Sequence, residues 1–366
     1  MKRVVVVGGY GPLGTRLCHH LSQQAGLDLV VAGASQAATT ALASRLSPQA
    51  RAQLSTSLLA PEQSDFSSRL QALAPDLVID ADGPFRSGRL RVAEACLRVG
   101  AHYLDTATER RHVCNLAQLN QSAQQAGVLL VSGATAAPGL TSAVVSHYRD
   151  DFATLASVDL ALAPGRQVGI RYPLATRLPC RWDFGGAVGH HWTIAADAAD
   201  QVLLPGACEV SERVQLQVAV PRNWRRLPAM AMARLRSLAA PCQKLPAVPA
   251  PAPSLATQSG ADPAALQVVM TGTDRRNRRQ TLCWQLTMAT GDNIDLAILP
   301  ALLLARRWLQ RGHWPSGAGP CVARLSLAEI QAQADDLGFQ VQLWGDQPPT
   351  WDEEGTPAPA RGGMPG

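Results

Sequence analysis

The first fourteen residues, MKRVVVVGGYGPLG, constrain this chain more than any other stretch. Val4 to Val7 are four consecutive β-branched residues, the pattern of a strand buried on both faces of a parallel sheet. Gly9, Gly11 and Gly14 follow in the spacing G-x-G-x-x-G, and Thr15 to Gln24 then read as a helix. Between a strand and a helix, each glycine has a task in a dinucleotide site. Gly9 permits the tight turn, Gly11 lets the backbone approach a pyrophosphate, and Gly14 lets helix and strand pack closely. Tyr10, Pro12 and Leu13 complete the loop, with Pro12 in the first helical turn, where its missing N–H costs little. The helix N-terminus adds unpaired N–H groups and a partial positive charge for phosphates. A glycine-rich turn with no ligand is the plainer alternative, and the strand–turn–helix context weighs against it.

The alternation continues. Strands are expected at Leu27–Ala32, Gln53–Leu59, Asp76–Ala81, His102–Thr106 and Val128–Ser132, with helices at Gln36–Leu46, Asp65–Ala74, Arg89–Val99 and His112–Ala126. Such a pattern implies a parallel sheet with right-handed crossovers and a ligand crevice beyond the carboxyl ends of the strands. Gly8–Gly14, Gly33–Gln36, Asp82–Ser87, Thr106–Arg110 and Gly133–Gly139 should border it. Near Tyr148 the pattern changes. Ser157–Ala163, Glu209–Val220, Leu266–Gly272 and Gln280–Thr290 read as strands, partly antiparallel, followed by helices at Leu296–Gln310 and Ser326–Leu337 and a short strand at Phe339–Trp344.

The expected fold class is therefore α/β. An N-terminal Rossmann-type doubly wound parallel sheet is joined to a second α+β domain built on a largely antiparallel sheet. The domains divide as 1–140 for the dinucleotide, 141–295 for substrate or dimerisation, and 296–345 packing back on the first domain. Proline, alanine and serine dominate 241–263, which reads as a mobile loop, and 346–366 reads as a disordered tail.

Composition removes several function classes. Lys2 and Lys244 are the only lysines among 33 basic residues, which argues against a catalytic lysine. Tyr10, Tyr103, Tyr148 and Tyr172 have no lysine four residues on, which excludes the Tyr-x-x-x-Lys of short-chain reductases. The eight cysteines are dispersed with no C-x-x-C pair, so neither a metal site nor a disulfide framework is expected. The apolar run behind Lys2-Arg3 is too short for a signal peptide, and Asp295, Pro300, Arg306 and Arg307 keep Ile294–Leu304 short of a membrane span. A cytoplasmic protein is expected, with a small-molecule substrate and no nucleic-acid or membrane partner. Net charge of +5 is modest for 366 residues, and Arg275–Arg279 read as a solvated hairpin turn.

Four landmarks together carry a family resemblance: Gly8-Gly-Tyr-Gly-Pro-Leu-Gly14, Asp82-Gly-Pro-Phe85, Gly100-Ala-His-Tyr-Leu-Asp105 and Ser132-Gly-Ala-Thr-Ala-Ala-Pro-Gly139. They resemble the saccharopine dehydrogenase-like oxidoreductases, specifically over residues 3–145. The resemblance implies a nicotinamide cofactor between the two domains and hydride transfer to or from a carbonyl or imine carbon. It also implies that Gly83, Pro84 and Phe85 border ribose and nicotinamide, that Asp105 and Thr106 lie near the reactive ring, and that a homodimer forms. Two positions depart from the family. Gly33-Ala34-Ser35 lacks the arginine suited to the phosphate of NADP, yet no acid is present there for the free hydroxyl of NAD. Ser35 and a helix N-terminus still suit a phosphate, so NADP is preferred over NAD. Ala137 replaces the aspartate of the saccharopine-forming enzymes, which argues against saccharopine as substrate.

A dehydrogenase needs a proton donor or acceptor at the reacting heteroatom. Asp105, at a strand's carboxyl end, is the candidate catalytic residue, with helix capping or a ribose contact as the alternative. Arg86, Arg166 and Trp182 are candidate substrate contacts, the arginines for an acidic group. Ala34 and Ala137 leave a second function class open, a dinucleotide-sensing or partner-binding protein without turnover.

Overall fold

The computed structural model describes residues 1–83, 85, 90–164, 180–186, 188–219, 263–288 and 293–345. The first sheet has seven strands, all parallel: β1 (Lys2–Val7), β2 (Leu27–Gly33), β3 (Gln53–Leu58), β4 (Leu77–Asp80), β5 (His102–Asp105), β6 (Leu129–Ser132) and β13 (Gly317–Pro320). Their spatial order is β13-β6-β5-β4-β1-β2-β3, the doubly wound arrangement. β1 lies between β2 and β4, with Val5 opposite both Val30 and Val78. Its four valines are fully buried: Val4 and Val6 face one core, Val5 and Val7 the other. That two-sided burial is why the strand carries no polar residue from position 4 onward.

Helices α1 (Pro12–Ser22), α2 (Gln36–Leu46), α3 (Phe66–Leu73), α4 (Arg91–Val99), α5 (Arg110–Asn115) and α6 (Asn120–Gln125) make the crossovers. The helix expected over 112–126 is two helices joined by a 3-10 turn at Leu116–Leu119. α7 (Thr141–Tyr148) leads into the second sheet, of order β14-β12-β11-β7-β10-β9-β8. These strands are β7 (Thr154–Pro164), β8 (Cys180–Asp183), β9 (His190–Ala196), β10 (Arg213–Ala219), β11 (Ala264–Thr273), β12 (Arg279–Met288) and β14 (Gln340–Gly345). β10 runs parallel to β7 and the other pairs are antiparallel. α8 (Asp200–Cys208) connects β9 to β10. Of the C-terminal segment, β13 extends the first sheet beside β6, whereas β14 pairs with β12 in the second. The loop expected at 241–263, Pro263 apart, and the tail at 346–366 lie outside the described residues.

One core runs through both sheets. Leu160, Leu162, Leu266, Val268, Trp284 and Leu286, at alternate positions of their strands, join Val4 and Val6 in a single cluster through α9 (Asn293–Arg311). α9 is buried along most of its length, from Ile294 to Trp308. Its N-terminal end is tied to α1 by Asp295, which accepts from Arg16 at 2.6 Å and lies 3.4 Å from His20. Its C-terminal end is capped by Lys2, whose ammonium donates to the carbonyls of Trp308 (2.9 Å) and Leu309 (3.1 Å). Unpaired carbonyls at a helix end favour such a cation. α10 (Leu327–Asp336) opens with a capping box between Ser326 and Glu329. Among the described residues no helix is long and apolar enough to cross a membrane.

The β7–β11 ladder shifts register at Gly272, where a Cβ would sit 2.0 Å from the Thr154 carbonyl oxygen. Gly272→Ala should therefore lower stability by about 2–3 kcal/mol, read as a fall in the urea midpoint.

Candidate functional site

The turn after β1 has the shape of a phosphate cradle because of what its glycines leave out. A Cβ on Gly14 would lie 2.1 Å from the Gly8 carbonyl oxygen, and one on Gly9 would lie 2.8 Å from Val31 Cγ1. Gly8 itself adopts φ +70, and a Cβ there would lie 2.8 Å from the backbone of Asp82, so the turns after β1 and β4 pack closely. Gly11 is different: its Cβ would meet only the Gly8 carbonyl oxygen, at 3.1 Å. It faces outward, on the side where a ligand comes in. α1 begins at Gly11 with no side-chain cap and no acidic residue in its first turn. Its leading N–H groups and positive dipole end fit a pyrophosphate.

Beside this cradle, Tyr10 lies across Gly33, where a Cβ would be 2.5 Å from the tyrosine Cε1. Ser35 caps α2, its Oγ accepting from the Ala38 N–H at 3.3 Å. The first turn of α2 holds no acid, and Gln36 Nε2 donates to Thr56 Oγ1 at 3.0 Å. Beyond β4, Gly83 is exposed and Phe85 packs against His112, ring centroids 4.9 Å apart. Pro84 and Arg86 lie outside the described residues, as does Arg166.

Asp105 ends β5 and is 0% exposed. Its Oδ1 accepts from the Gly133 N–H at 2.8 Å, the Ser132 hydroxyl at 2.9 Å and the Ala107 N–H at 3.0 Å. Its Oδ2 accepts from the Tyr103 hydroxyl at 2.9 Å and lies 3.2 Å from His112 Nε2. Burial opposes the charge of Asp105, but the hydrogen bond and charge of His112, with the two backbone N–H groups, outweigh it and hold the carboxyl below its ordinary value. Burial likewise opposes the imidazolium, and the bond to Asp105 outweighs it, so His112 is raised. Each shift favours the charged form of its group beside the other. With five donors on two oxygens, Asp105 has its hydrogen-bonding capacity filled within the protein. Next to it, Thr106 Oγ1 and His112 Nδ1 are buried without a hydrogen-bond partner. Asp80, at the end of β4, is pushed up to about 7 by burial, against a bond from the Asp82 N–H and with help from the Asp105 charge.

Trp182 stands apart from this group. It packs with Phe184, Ala161 and Ala265 on the second sheet, in a cluster separate from the one around Phe85 and Ala107. Its indole N–H donates to Gln267 Oε1 at 2.7 Å, Gln267 Nε2 donates to Gln285 Oε1 at 2.9 Å, and Gln285 Nε2 donates to Thr287 Oγ1 at 3.0 Å. The structure thus brings together the glycine loop, Gly33–Ser35, Gly83, Phe85, Asp105 and Thr106 at the carboxyl edge of the first sheet. It adds Tyr103, His112 and Ser132, which the sequence reading did not single out. Only the strand-end position of Asp105 hinted at them. Asp200, fully buried beside Thr141, also went unread. Among the described residues no group of histidine, cysteine and acidic side chains is arranged to hold a metal ion.

Residues 4–131 match the family model of the saccharopine dehydrogenase NADP binding domain. Over 95% of its length the chain is similar to the whole of an apo histidine-tagged saccharopine dehydrogenase (L-Glu forming) from Saccharomyces cerevisiae, with 12% sequence identity and a TM-score of 0.64. At that identity the likeness is one of fold. GenD2 from gentamicin A biosynthesis, solved with NAD, gives a TM-score of 0.45 at 15% identity over 92% of each chain. The WlbA (WbpB) dehydrogenase from Thermus thermophilus, in complex with NAD and UDP-GlcNAcA, gives 0.41 at 14% identity over 92% of this chain and 94% of that one. No curated protein matches the chain.

The Asp105–His112 pair sets a pH signature. Because His112 is raised in the folded state, its contribution is fully present below the ordinary histidine value of 6.5 and is lost as pH climbs through the raised one. His112→Gln should therefore cost about 1–3 kcal/mol on the acid side of 6.5 and progressively less above it. Urea midpoints measured on both sides of that value test this.

Proposed function

We propose that this chain, whose residues 4–131 belong to the saccharopine dehydrogenase NADP binding domain family, is an NAD(P)-dependent oxidoreductase moving a hydride to or from a small carbonyl or imine carbon. The carrying observation is the cradle itself: an uncapped, acid-free helix start in a turn where Gly9 and Gly14 leave no room for a Cβ, at the point where strand order reverses. The backbone of Gly9, Tyr10, Gly11, Pro12, Leu13 and Gly14 would hold the pyrophosphate. Gly83, Pro84, Phe85 and Thr106 would line the nicotinamide half. When bound, the dinucleotide supplies or accepts the hydride; the protein orients it and shields the site from water.

NADP is the preferred cofactor. The N-terminal end of α2, with Ser35 and Gln36 and no acid in the first turn, suits an additional phosphate and offers nothing to a free ribose hydroxyl. Ala34 contributes no side-chain contact. Asp105 keeps a central role, holding His112 and the Gly133 turn in place. Residues 141–295 form the substrate side, with Arg86 and Arg166 for an anionic group and Trp182 as a wall of the second sheet. The outer surface of that sheet is where two copies would pair. The saturation of Asp105 favours a second reading, a dinucleotide sensor without turnover, and the two readings part on whether bound NADPH is oxidised by any carbonyl or imine in a panel.

Isothermal titration with NADPH, NADH, NADP⁺ and NAD⁺ tests the cofactor directly. NADPH should bind with micromolar affinity. Gly11→Asp should fold normally, because its Cβ meets only one atom, at 3.1 Å. It should weaken binding roughly 100-fold, about 3 kcal/mol. Gly14→Ala should instead fail to fold, its Cβ landing 2.1 Å from the Gly8 carbonyl oxygen. Absence of binding by all four dinucleotides would end the oxidoreductase reading.

A further inference from the structure

We propose that Asp200 is the acid of this crevice, the group whose Oδ2 meets the substrate and exchanges a proton with its heteroatom. The inference rests on the oxidoreductase reading and names the group that Asp105, with its oxygens saturated, does not supply.

Asp200 is the first residue of α8 and is 0% exposed. Its Oδ1 accepts from the Thr141 hydroxyl, and its Oδ2 has no hydrogen-bond partner. Thr141 begins α7, directly after the Ala136–Leu140 turn that follows the carboxyl end of β6. The carboxyl is thereby held at the edge of the sheet where ligands bind. A second contact fixes it from the other side. Ala199, the preceding residue, packs with Ala107 and Val113. In the chain these are the neighbours of Thr106 and His112. Thr106 Oγ1, His112 Nδ1 and Asp200 Oδ2, all buried without a hydrogen-bond partner, thus belong to residues that adjoin in the chain the three members of one small apolar patch, against which Phe85 and Leu203 pack.

A buried carboxyl oxygen with no partner is costly unless the group is neutral or a ligand completes it. Among the described residues no cation is ion-paired with Asp200; the nearby Arg110 is paired with Asp197 at 3.2 Å. Burial lifts Asp200 to about 6, against the Thr141 hydrogen bond and one from its own backbone N–H, so part of the population carries a proton near neutrality. That is the range in which a general acid works best. In the reductive direction a hydride from a reduced nicotinamide dinucleotide adds to the carbon of C=O or C=N. The π pair moves to the heteroatom, which takes the proton as the Asp200 Oδ2–H bond breaks. The carboxylate left behind keeps the Thr141 hydroxyl as donor, and the reverse sequence runs in oxidation.

Infrared difference spectroscopy on the full chain reads this without turnover. The wild-type minus Asp200→Asn spectrum at pH 6 should contain one protonated-carboxyl C=O band. NADP⁺ should shift that band in wild type, and Thr141→Val, which removes the donor to Oδ1, should shift it without dinucleotide. Gly11→Asp should keep the band and lose its response to NADP⁺. With any substrate the panel yields, Asp200→Asn should lower turnover at least 100-fold while dinucleotide affinity changes less than about twofold. A band indifferent to dinucleotide that titration shows to be bound, or an Asp200→Asn variant with full turnover, would overturn the assignment of Asp200 alone. Titrations that show no dinucleotide binding would remove the oxidoreductase reading together with it.

Discussion

The carboxylate of Asp105 is the interaction on which the site depends. A charge with no water around it is tolerated only when every lone pair is met, and here Tyr103, Ala107, His112, Ser132 and Gly133 meet them. Those five groups come from β5, the loop behind it, α5, β6 and the turn behind β6. One side chain therefore ties five segments of the chain to one another. Around it, Thr106 and His112 each keep one buried atom without a hydrogen-bond partner, and the Gly133 turn leads toward α7 and Thr141. Removing the carboxylate would strand five donors at once.

A second constraint holds the two sheets together. α9 touches the glycine-loop helix through Arg16 and Asp295, and it approaches the turn behind β6 so closely that a Cβ on Gly139 would be 2.8 Å from Pro300. The ion pair is half-exposed on the arginine side and contributes little by itself. The apolar cluster that runs from Val4 through α9 to Trp284 is what makes the contact permanent. Lys2 then closes the far end of α9 over Trp308, with its ammonium 4.5 Å from the ring centroid. The single lysine among the described residues is thus a structural cap.

Local patterns were legible in the sequence, and contacts between distant segments were not. Val4–Val7 and the glycine spacing carry their meaning within fourteen residues, so the parallel sheet and the cradle could be read directly. The alternation of strands and helices up to Ser132 followed from periodicity. β13 escaped because Gly317-Ala-Gly-Pro320 holds no β-branched or aromatic residue; it is a strand only because β6 offers an open edge. The hairpin of β8 and β9 and the helix α8 were likewise unread, α8 carrying a proline inside it. Asp105 was chosen for its strand-end position, and its burial depended on Tyr103, Ser132 and His112, whose side chains meet only in three dimensions. Asp200 lies beyond any window that periodicity can span, and nothing in its own neighbourhood marks it. Arg86, Arg166 and Pro84 fall outside the described residues.

The chain of amides on the second sheet constrains how related sequences can drift. Trp182, Gln267, Gln285 and Thr287 pass hydrogen bonds in one direction, each donor feeding the acceptor of the next. Replacing Gln267 alone leaves an indole N–H and an amide carbonyl stranded in a buried layer, whereas replacing the whole run by apolar residues leaves neither. Divergence should therefore pass through paired or block replacements, and positions 182, 267, 285 and 287 should covary across the strands they join. In a lineage that has lost Gln267, the Trp182 N–H and the Gln285 carbonyl both lose their partners, and replacement of those two should follow.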